Sequence, residues 1–198
     1  MRRKFLILPL HLYFSRMFLV RLRHWQAFLL LFVLPLLLQQ GLLWLLGALG
    51  ISAGRVLTML LDALPATVIT LWLWTVGARL YKRLPESIKI TPLYFYLGCL
   101  YMLLYALLFV YTWAVIRDSL AAGTLPLGML ALLVPMHLFA TFCYLYAAYF
   151  AGRSLVSVET PRVAQSGEYL GTVFLFMLLP LGIWFLQPRL RRIYLSER

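Results

Sequence analysis

Four long stretches with almost no charged residues dominate the pattern of hydrophobic and polar positions along the chain. They are Trp25–Leu49, Val56–Ala78, Leu93–Ile116 and Leu125–Gly152. A helix needs about 20 apolar residues to cross the hydrocarbon core of a bilayer, and each stretch is long enough. The pattern therefore predicts an all-α integral membrane protein, with a bundle of four transmembrane helices in a single domain that covers residues 1–198.

A fifth apolar stretch, Tyr169–Gln187, is shorter and contains residues that interrupt helices. Pro180 and Gly182 lie inside it, and Pro188 follows it. A proline removes one helix hydrogen bond and clashes with the preceding turn. We expect a short helix that enters the membrane, a break at Pro180–Gly182, and a second piece that returns to the same side. A plain fifth span is the alternative.

Basic segments occupy both ends of the chain. Residues 1–24 are expected to form an interfacial helix along the inner leaflet, with an irregular tail as the alternative, and residues 188–198 form a basic tail. The cationic side chains of these segments are candidates for contacts with lipid headgroups. They are Arg2, Arg3, Lys4, Arg16, Arg21, Arg23, Arg189, Arg191 and Arg192.

Composition and charge agree with a membrane protein and give an expected orientation. Apolar residues make up 64% of the chain and charged residues 12%, whereas about a quarter of a soluble domain is charged. The positive residues flank the apolar segments, so attraction to anionic lipid explains the net charge of +12 better than nucleic-acid binding does. Lys and Arg concentrate before the first stretch and after the second and fourth, so we expect the amino terminus inside.

Asp62 is the only acidic residue within the four stretches. A charge at membrane depth costs at least a few kcal/mol, so such a carboxylate is a functional candidate. His137, Gln39 and Gln40 are expected at a similar depth, and together these groups could relay a proton or hold a small polar ligand. The alternatives are a hydrated Asp62 near the outer interface, paired with Arg55, and ordinary hydrogen bonds between helices.

Two helix faces carry further polar candidates. Helical spacing places Thr141 and Tyr144 on the same face of the fourth stretch as His137. Tyr101 and Tyr105 share a face of the third stretch, and their hydroxyl groups need hydrogen-bond partners in lipid. Both faces are typical of packing seams between helices as well as of cavity walls.

The sequence contains no pattern that identifies an enzyme. It lacks the His or Cys spacing of a metal site, a phosphate-binding glycine loop and a Ser-His-Asp arrangement, and it predicts neither metal nor cofactor. We therefore expect a non-enzymatic structural or accessory subunit that binds lipids, other membrane proteins or a second copy of itself. The alternatives are a small transporter or channel-like protein around Asp62 and His137, and a lipid-modifying enzyme.

Three segments of the last third of the chain resemble a family of uncharacterised proteins. They are Pro135–Tyr144, Ser157–Pro161 and Pro180–Arg189, the last with the sequence PLGIWFLQPR. These segments resemble small multi-pass bacterial membrane proteins, and the resemblance covers roughly residues 130–193. It implies a bacterial inner-membrane protein and no particular activity.

The resemblance directs attention to the loop Glu159–Glu168 and to the broken apolar segment that follows it. The loop carries two carboxylates and one arginine between apolar segments. Its charges could order the broken segment by pairing with Arg189 or Arg191, although surface ion pairs contribute only about 0–1 kcal/mol. A solvated loop without such pairs is the alternative.

Overall fold

The computed structural model describes residues 22–85, 88 and 90–195, and regular secondary structure in this part of the chain is entirely helical. Four helices are long and apolar enough to cross a membrane. They are α1 (His24–Ala48), α2 (Arg55–Arg83), α3 (Leu93–Ala121) and α4 (Leu127–Glu159). Two shorter helices follow, α5 (Ser166–Met177) and α6 (Leu179–Leu195). The prediction of four long apolar helices is confirmed.

Three of the four helices extend past the carboxyl ends of the apolar stretches that predicted them. Helix α2 continues past Ala78 to Arg83, and α4 continues past Gly152 to Glu159. Each residue added to a helix forms one more backbone hydrogen bond, so a helix continues into polar sequence without adding unpaired backbone groups. Hydropathy therefore located the apolar part of each helix rather than its ends.

The bundle has two ends that differ in charge and packing. The basic end carries Arg83, Arg153 and Arg191, and the distal end carries Arg55 and Asp118. Most of the core lies in the half of the bundle near the basic end, where helices from all parts of the chain meet. Its fully buried side chains include Leu31, Leu80, Phe95, Leu155, Phe176 and Leu190. A second, smaller apolar cluster joins the distal halves of α3 and α4.

Helices α5 and α6 form a hairpin packed against α4 and the start of α1. The chain turns at Leu178, whose φ of −95° and ψ of 52° leave the helical region. The sequence places this break slightly later, at Pro180–Gly182, and that position is wrong. Pro180 lies in the first turn of α6, where a missing N–H removes no helix hydrogen bond. The proline therefore marks the start of the second helix.

Gly182 allows the two arms of the hairpin to approach closely. A Cβ atom added at this residue would overlap the carbonyl oxygen of Leu175 in α5. The backbone N–H of Gly182 donates a hydrogen bond of 2.7 Å to the carbonyl oxygen of Leu178. Glycine is required here because any side chain would displace backbone atoms of the opposite arm.

Helix α6 returns toward the basic end and is held there by ionic and polar contacts. Arg189 binds the carboxylate of Glu159 at the end of α4, with its Nε atom 2.9 Å from Oε1. Its Nη1 atom also donates to Thr172 of α5, at 2.9 Å. From the end of α2, Arg83 donates to the carbonyl oxygen of Ile193 at 2.6 Å. The pairing of Arg189 with the loop agrees with the hypothesis drawn from the sequence.

Pro188 ends the fifth apolar stretch of the sequence, but it does not end a helix. Helix α6 continues through Pro188 to Leu195. A proline inside a helix costs about 3 kcal/mol through its lost hydrogen bond and its clash. Leu186 and Leu190, on either side of it, are fully buried in the core. The packing contacts of these two leucines offset part of the cost of the proline.

Candidate functional site

The first polar contact within the candidate spans joins α1 to α2. The side-chain Nε2 of Gln39 donates a hydrogen bond of 2.7 Å to Oδ1 of Asp62. Gln39 is half-buried and Asp62 is exposed on the lateral surface of the bundle. The sequence predicts that these two residues lie at a similar depth, and the structure brings them into contact. Gln40 is exposed and makes no hydrogen bond with its side chain within the described residues.

Asp62 lies well inside the apolar part of α2. It is seven residues from Arg55, which corresponds to about 10 Å along the helix axis. Arg55 itself pairs with Asp118 of α3, at 3.5 Å, and its guanidinium lies 5.9 Å from the ring centre of Tyr111. The alternative pairing of Asp62 with Arg55 is therefore replaced by a hydrogen bond to Gln39.

A second polar contact joins α3 to α4. The hydroxyl group of Tyr105 lies 2.8 Å from Nδ1 of His137, and the two rings are 5.8 Å apart. Tyr105 can donate this hydrogen bond when the imidazole proton is on Nε2. Tyr105 is buried in the distal cluster, whereas His137 is exposed at its edge.

The remaining polar candidates of this region bind backbone carbonyl groups. Tyr101 donates to the carbonyl oxygen of Met136 at 3.1 Å, so the tyrosine face of α3 packs against α4. Thr141 donates to the carbonyl oxygen of His137 in its own helix, at 2.9 Å. A threonine that bonds back to the preceding turn satisfies its own hydroxyl group and joins no other helix.

The two polar pairs belong to different pairs of helices. No hydrogen bond or ion pair joins Gln39 and Asp62 to Tyr105 and His137 within the ranges that the structure describes. In the same ranges, no three His, Cys, Asp or Glu side chains come together in a metal-binding arrangement. Both contacts are ordinary hydrogen bonds between neighbouring helices. This was one of the two interpretations of the sequence.

Tyr144 fixes the turn of the α5–α6 hairpin. Its hydroxyl group lies 2.9 Å from the carbonyl oxygen of Phe176 and 3.1 Å from that of Met177. These carbonyl groups lie at the end of α5, where no further helical N–H is available to them. Tyr144 was expected among the intramembrane polar candidates, and its observed partners are backbone groups at the break.

The loop that leads into α5 is ordered by Glu168. Its Oε2 atom accepts a hydrogen bond of 2.9 Å from the backbone N–H of Gln165, and its other oxygen pairs with Arg162. The hydrogen bond from Gln165 and the neighbouring guanidinium lower the pKa of the Glu168 carboxyl below its usual value. This carboxylate caps the first turn of α5, where negative charge is favoured.

The basic residues of the two termini that are candidates for lipid headgroup contacts lie in different environments. Arg189 is engaged by Glu159 and Thr172, whereas Arg23, Arg191 and Arg192 line one cavity at the basic end. Residues 1–21, with Arg2, Arg3, Lys4, Arg16 and Arg21 and most of the predicted interfacial helix, lie outside the described residues.

A second cavity at the basic end was missed in the sequence. It has a volume of about 330 Å³ and lies between the start of α3 and the end of α4. Arg153 and Tyr149 line it, joined by a hydrogen bond of 3.0 Å, together with Tyr94 and Tyr146. The signal was available, because Tyr146, Tyr149 and Arg153 recur at helical spacing along one face of α4.

No protein-family model, no curated protein and no solved structure matches the chain. The chain's own side chains therefore carry the argument about its function.

Proposed function

We propose that this protein is a non-enzymatic accessory subunit of a bacterial cytoplasmic membrane that binds another membrane protein at the lateral surface of α1 and α2. The contact between Gln39 and Asp62 supports this proposal. It presents a carboxylate sideways, within a helix that is long and apolar enough to cross a membrane.

A carboxylate that faces lipid costs at least about 2.5 kcal/mol at membrane depth. Gln39 supplies one hydrogen bond to Asp62 and leaves the second carboxylate oxygen without a partner in the described ranges. A transmembrane helix of a partner would remove this cost if it placed a Lys, an Arg or another donor against Asp62. Such a contact would be specific, because a purely apolar helix gains nothing from it.

The surface around the pair also suits a protein neighbour. The distal half of α1 packs mainly against α2 and leaves its other sides open. Leu37 is 64% exposed and Trp44 is 75% exposed on this part of α1. Lipid tails could cover these apolar side chains, but they carry no hydrogen-bond donor for Asp62. The acidic group therefore distinguishes a protein partner from lipid.

The proposed topology places the basic end in the cytoplasm. Lys and Arg favour the cytoplasmic side, and the basic end carries Arg83, Arg153 and Arg191. The resemblance of residues 130–193 to small bacterial inner-membrane proteins supports the same compartment. In this topology α5 and α6 form a re-entrant hairpin, since α6 runs back to Glu159 at the end of α4.

A transporter built around Asp62 and His137 stays a prediction. The two residues have different partners on different helices, and neither of the two cavities at the basic end includes them. An accessory role needs only the lateral surface that the described helices present.

Photo-crosslinking in native membranes tests the proposal. A photoreactive residue replaces Leu36, which is exposed and lies three residues before Gln39 on the same side of α1. Leu138, exposed on α4, is the matched site on another surface. We expect an adduct at Leu36 whose partner peptide, identified by mass spectrometry, comes from a transmembrane helix with Lys or Arg within one turn.

The variant Asp62→Asn should lower the yield of this adduct about five-fold, the effect of losing about 1 kcal/mol. Asp118→Asn removes a carboxylate of the distal end that already has a partner, and it should leave the yield unchanged. Adducts with lipid alone, adducts between two copies of this chain, or equal yields with and without Asp62 would contradict the proposal.

A further inference from the structure

A cavity of about 260 Å³ opens where the start of α1 meets α6 at the basic end. Arg23, Arg191 and Arg192 line it, with His24 beside them, and none of the described residues that line it is acidic. Three guanidinium groups around one small cavity repel one another unless an anion lies between them. The charge of the cavity therefore indicates an anionic ligand.

The frame of the cavity is held by buried and aromatic contacts. Gln187 of α6 is fully buried and donates a hydrogen bond of 3.0 Å to the carbonyl oxygen of Leu22. The ring of His24 lies 4.9 Å from the ring of Trp184, on the outer side of α6. These contacts fix the entry of α1 against α6, so the backbone positions that carry the cationic side chains are set before any ligand arrives.

Arg191 lines the cavity and differs from Arg189 in its hydrogen bonds. Its Nε atom is inaccessible to solvent and forms no hydrogen bond within the described residues. Arg189, two residues earlier on α6, binds Glu159 and Thr172 with its guanidinium. The arginines of α6 thus have different roles, since Arg189 closes the hairpin and Arg191 presents donors at the cavity.

The N-terminus of α1 adds to the attraction for an anion. Helix α1 begins at His24, at the rim of the cavity, and its first backbone N–H groups have no carbonyl partner earlier in the helix. The N-terminus of a helix of 25 residues carries a partial positive charge that favours phosphate groups. Helix dipole and guanidinium groups therefore favour the same chemical class of ligand.

We propose that this cavity binds the phosphate group of an anionic membrane lipid. The lipid rather than a soluble phosphate is favoured by the surroundings, because Trp184 and Phe185 lie exposed on the same stretch of α6. Tryptophan side chains accumulate at the level of lipid headgroups, and the neighbouring ring of Phe185 is suited to contact acyl chains. This inference is independent of a protein partner at Asp62, which lies in the distal half of α2.

The test measures lipid binding to the purified full-length chain by native mass spectrometry. Phosphatidylglycerol is titrated into the detergent-solubilised protein, with phosphatidylcholine as the zwitterionic comparison. The variant Arg191→Gln with Arg192→Gln removes two cationic groups of the cavity. Arg117→Gln with Arg55→Gln removes two charges at the distal end and is the matched control.

We expect the cavity variant to lose phosphatidylglycerol binding about 25-fold, since each of the two cationic groups near an anionic headgroup contributes about five-fold. The distal variant should stay within about two-fold of the unchanged chain, and phosphatidylcholine binding should not respond to either change. Equal losses in both variants would show unspecific attraction between charges and would overturn the proposal, as would full retention in the cavity variant.

Two further measurements keep the test decisive. In the first, inorganic phosphate is added at millimolar concentration in place of lipid. If phosphate stabilises the folded protein and phosphatidylglycerol binds no better than phosphatidylcholine, the assignment to lipid is overturned. The exposed Arg23→Gln variant replaces the double variant if the latter fails to fold. It should lower phosphatidylglycerol binding about five-fold.

Discussion

Arg189 and Glu159 form a two-point ion pair between the middle of α6 and the last residue of α4. The Nε and Nη2 atoms of Arg189 lie 2.9 Å and 2.5 Å from the two carboxylate oxygens of Glu159. The side chains are 28% and 30% exposed, so water screens the pair only in part. This contact brings residue 189 back to the end of the bundle from which the α5–α6 hairpin starts.

The two-point geometry of this pair predicts that a positive charge at residue 189 is not sufficient to keep the pair's contribution to stability. Arg189→Lys keeps the positive charge but cannot make two parallel hydrogen bonds. We expect the free energy of unfolding, measured by titrating SDS into detergent micelles, to fall by about 1 kcal/mol. Arg192→Lys, an exposed site on the same helix, should change it by less than about 0.5 kcal/mol. Equal effects of the two variants on the free energy of unfolding would show that the ion pair does not stabilise the hairpin.

Gly182 should be the least replaceable glycine of the hairpin. Gly182→Ala places a Cβ atom against the carbonyl oxygen of Leu175 and should lower the free energy of unfolding by about 1–3 kcal/mol. A Cβ atom at Gly171 of α5 meets no atom within 4 Å. Gly171→Ala should therefore be neutral or stabilising, because alanine favours helix. A loss of stability in Gly171→Ala as large as in Gly182→Ala would contradict the close approach of the two arms.

Removal of one hydroxyl group should loosen the turn of the hairpin. Tyr144→Phe leaves the carbonyl groups of Phe176 and Met177 without their side-chain donor. We expect hydrogen exchange around Leu178 to accelerate about five-fold to ten-fold, which corresponds to roughly 1 kcal/mol. Tyr146→Phe is the control, since the hydroxyl group of Tyr146 donates no hydrogen bond in the part of the chain that the structure describes. The same acceleration in both variants would count against the role of Tyr144.

The start of α5 should weaken in acid. The folded-state pKa of Glu168 is lowered, chiefly by the N–H of Gln165 and then by Arg162. Its contribution to stability is therefore present above the ordinary carboxyl pKa and is lost as the pH falls through the lowered folded value. A carbon-13 titration of this carboxyl should give a pKa below that of an unperturbed glutamate. Thermal stability should fall more steeply in acid for the unchanged chain than for Glu168→Gln.

Cysteine labelling should place both ends of the hairpin on one side of the membrane. The native Cys99 and Cys143 are buried, so introduced cysteines can be read against a low background. We expect Val163→Cys and Arg192→Cys to react with a membrane-impermeant thiol reagent from the same side. Ala122→Cys, between α3 and α4, should react from the other side. Labelling of residues 122 and 192 from one side would show that the hairpin spans the membrane.

The sequence determined the four long helices of this protein. A run of about 20 apolar residues is a local property, and a bilayer leaves few structures other than a helix for it. Pro180 and Gly182 likewise indicated that the last apolar segment has two pieces, because their backbone preferences act on their immediate neighbours. The exact turn at Leu178 escaped detection, since proline is compatible with the first turn of a new helix.

The tertiary structure alone decided which polar groups meet. Asp62 could have paired with Arg55 or lain beside His137, and in the structure it binds Gln39. Arg189 and Arg191 were equal headgroup candidates, yet one closes the hairpin and the other lines the cavity beside Arg23. Each of these contacts is worth about 1 kcal/mol. Such contacts depend on the rotation and register of helices that are set by packing across the whole bundle, and no local pattern of residues records that arrangement.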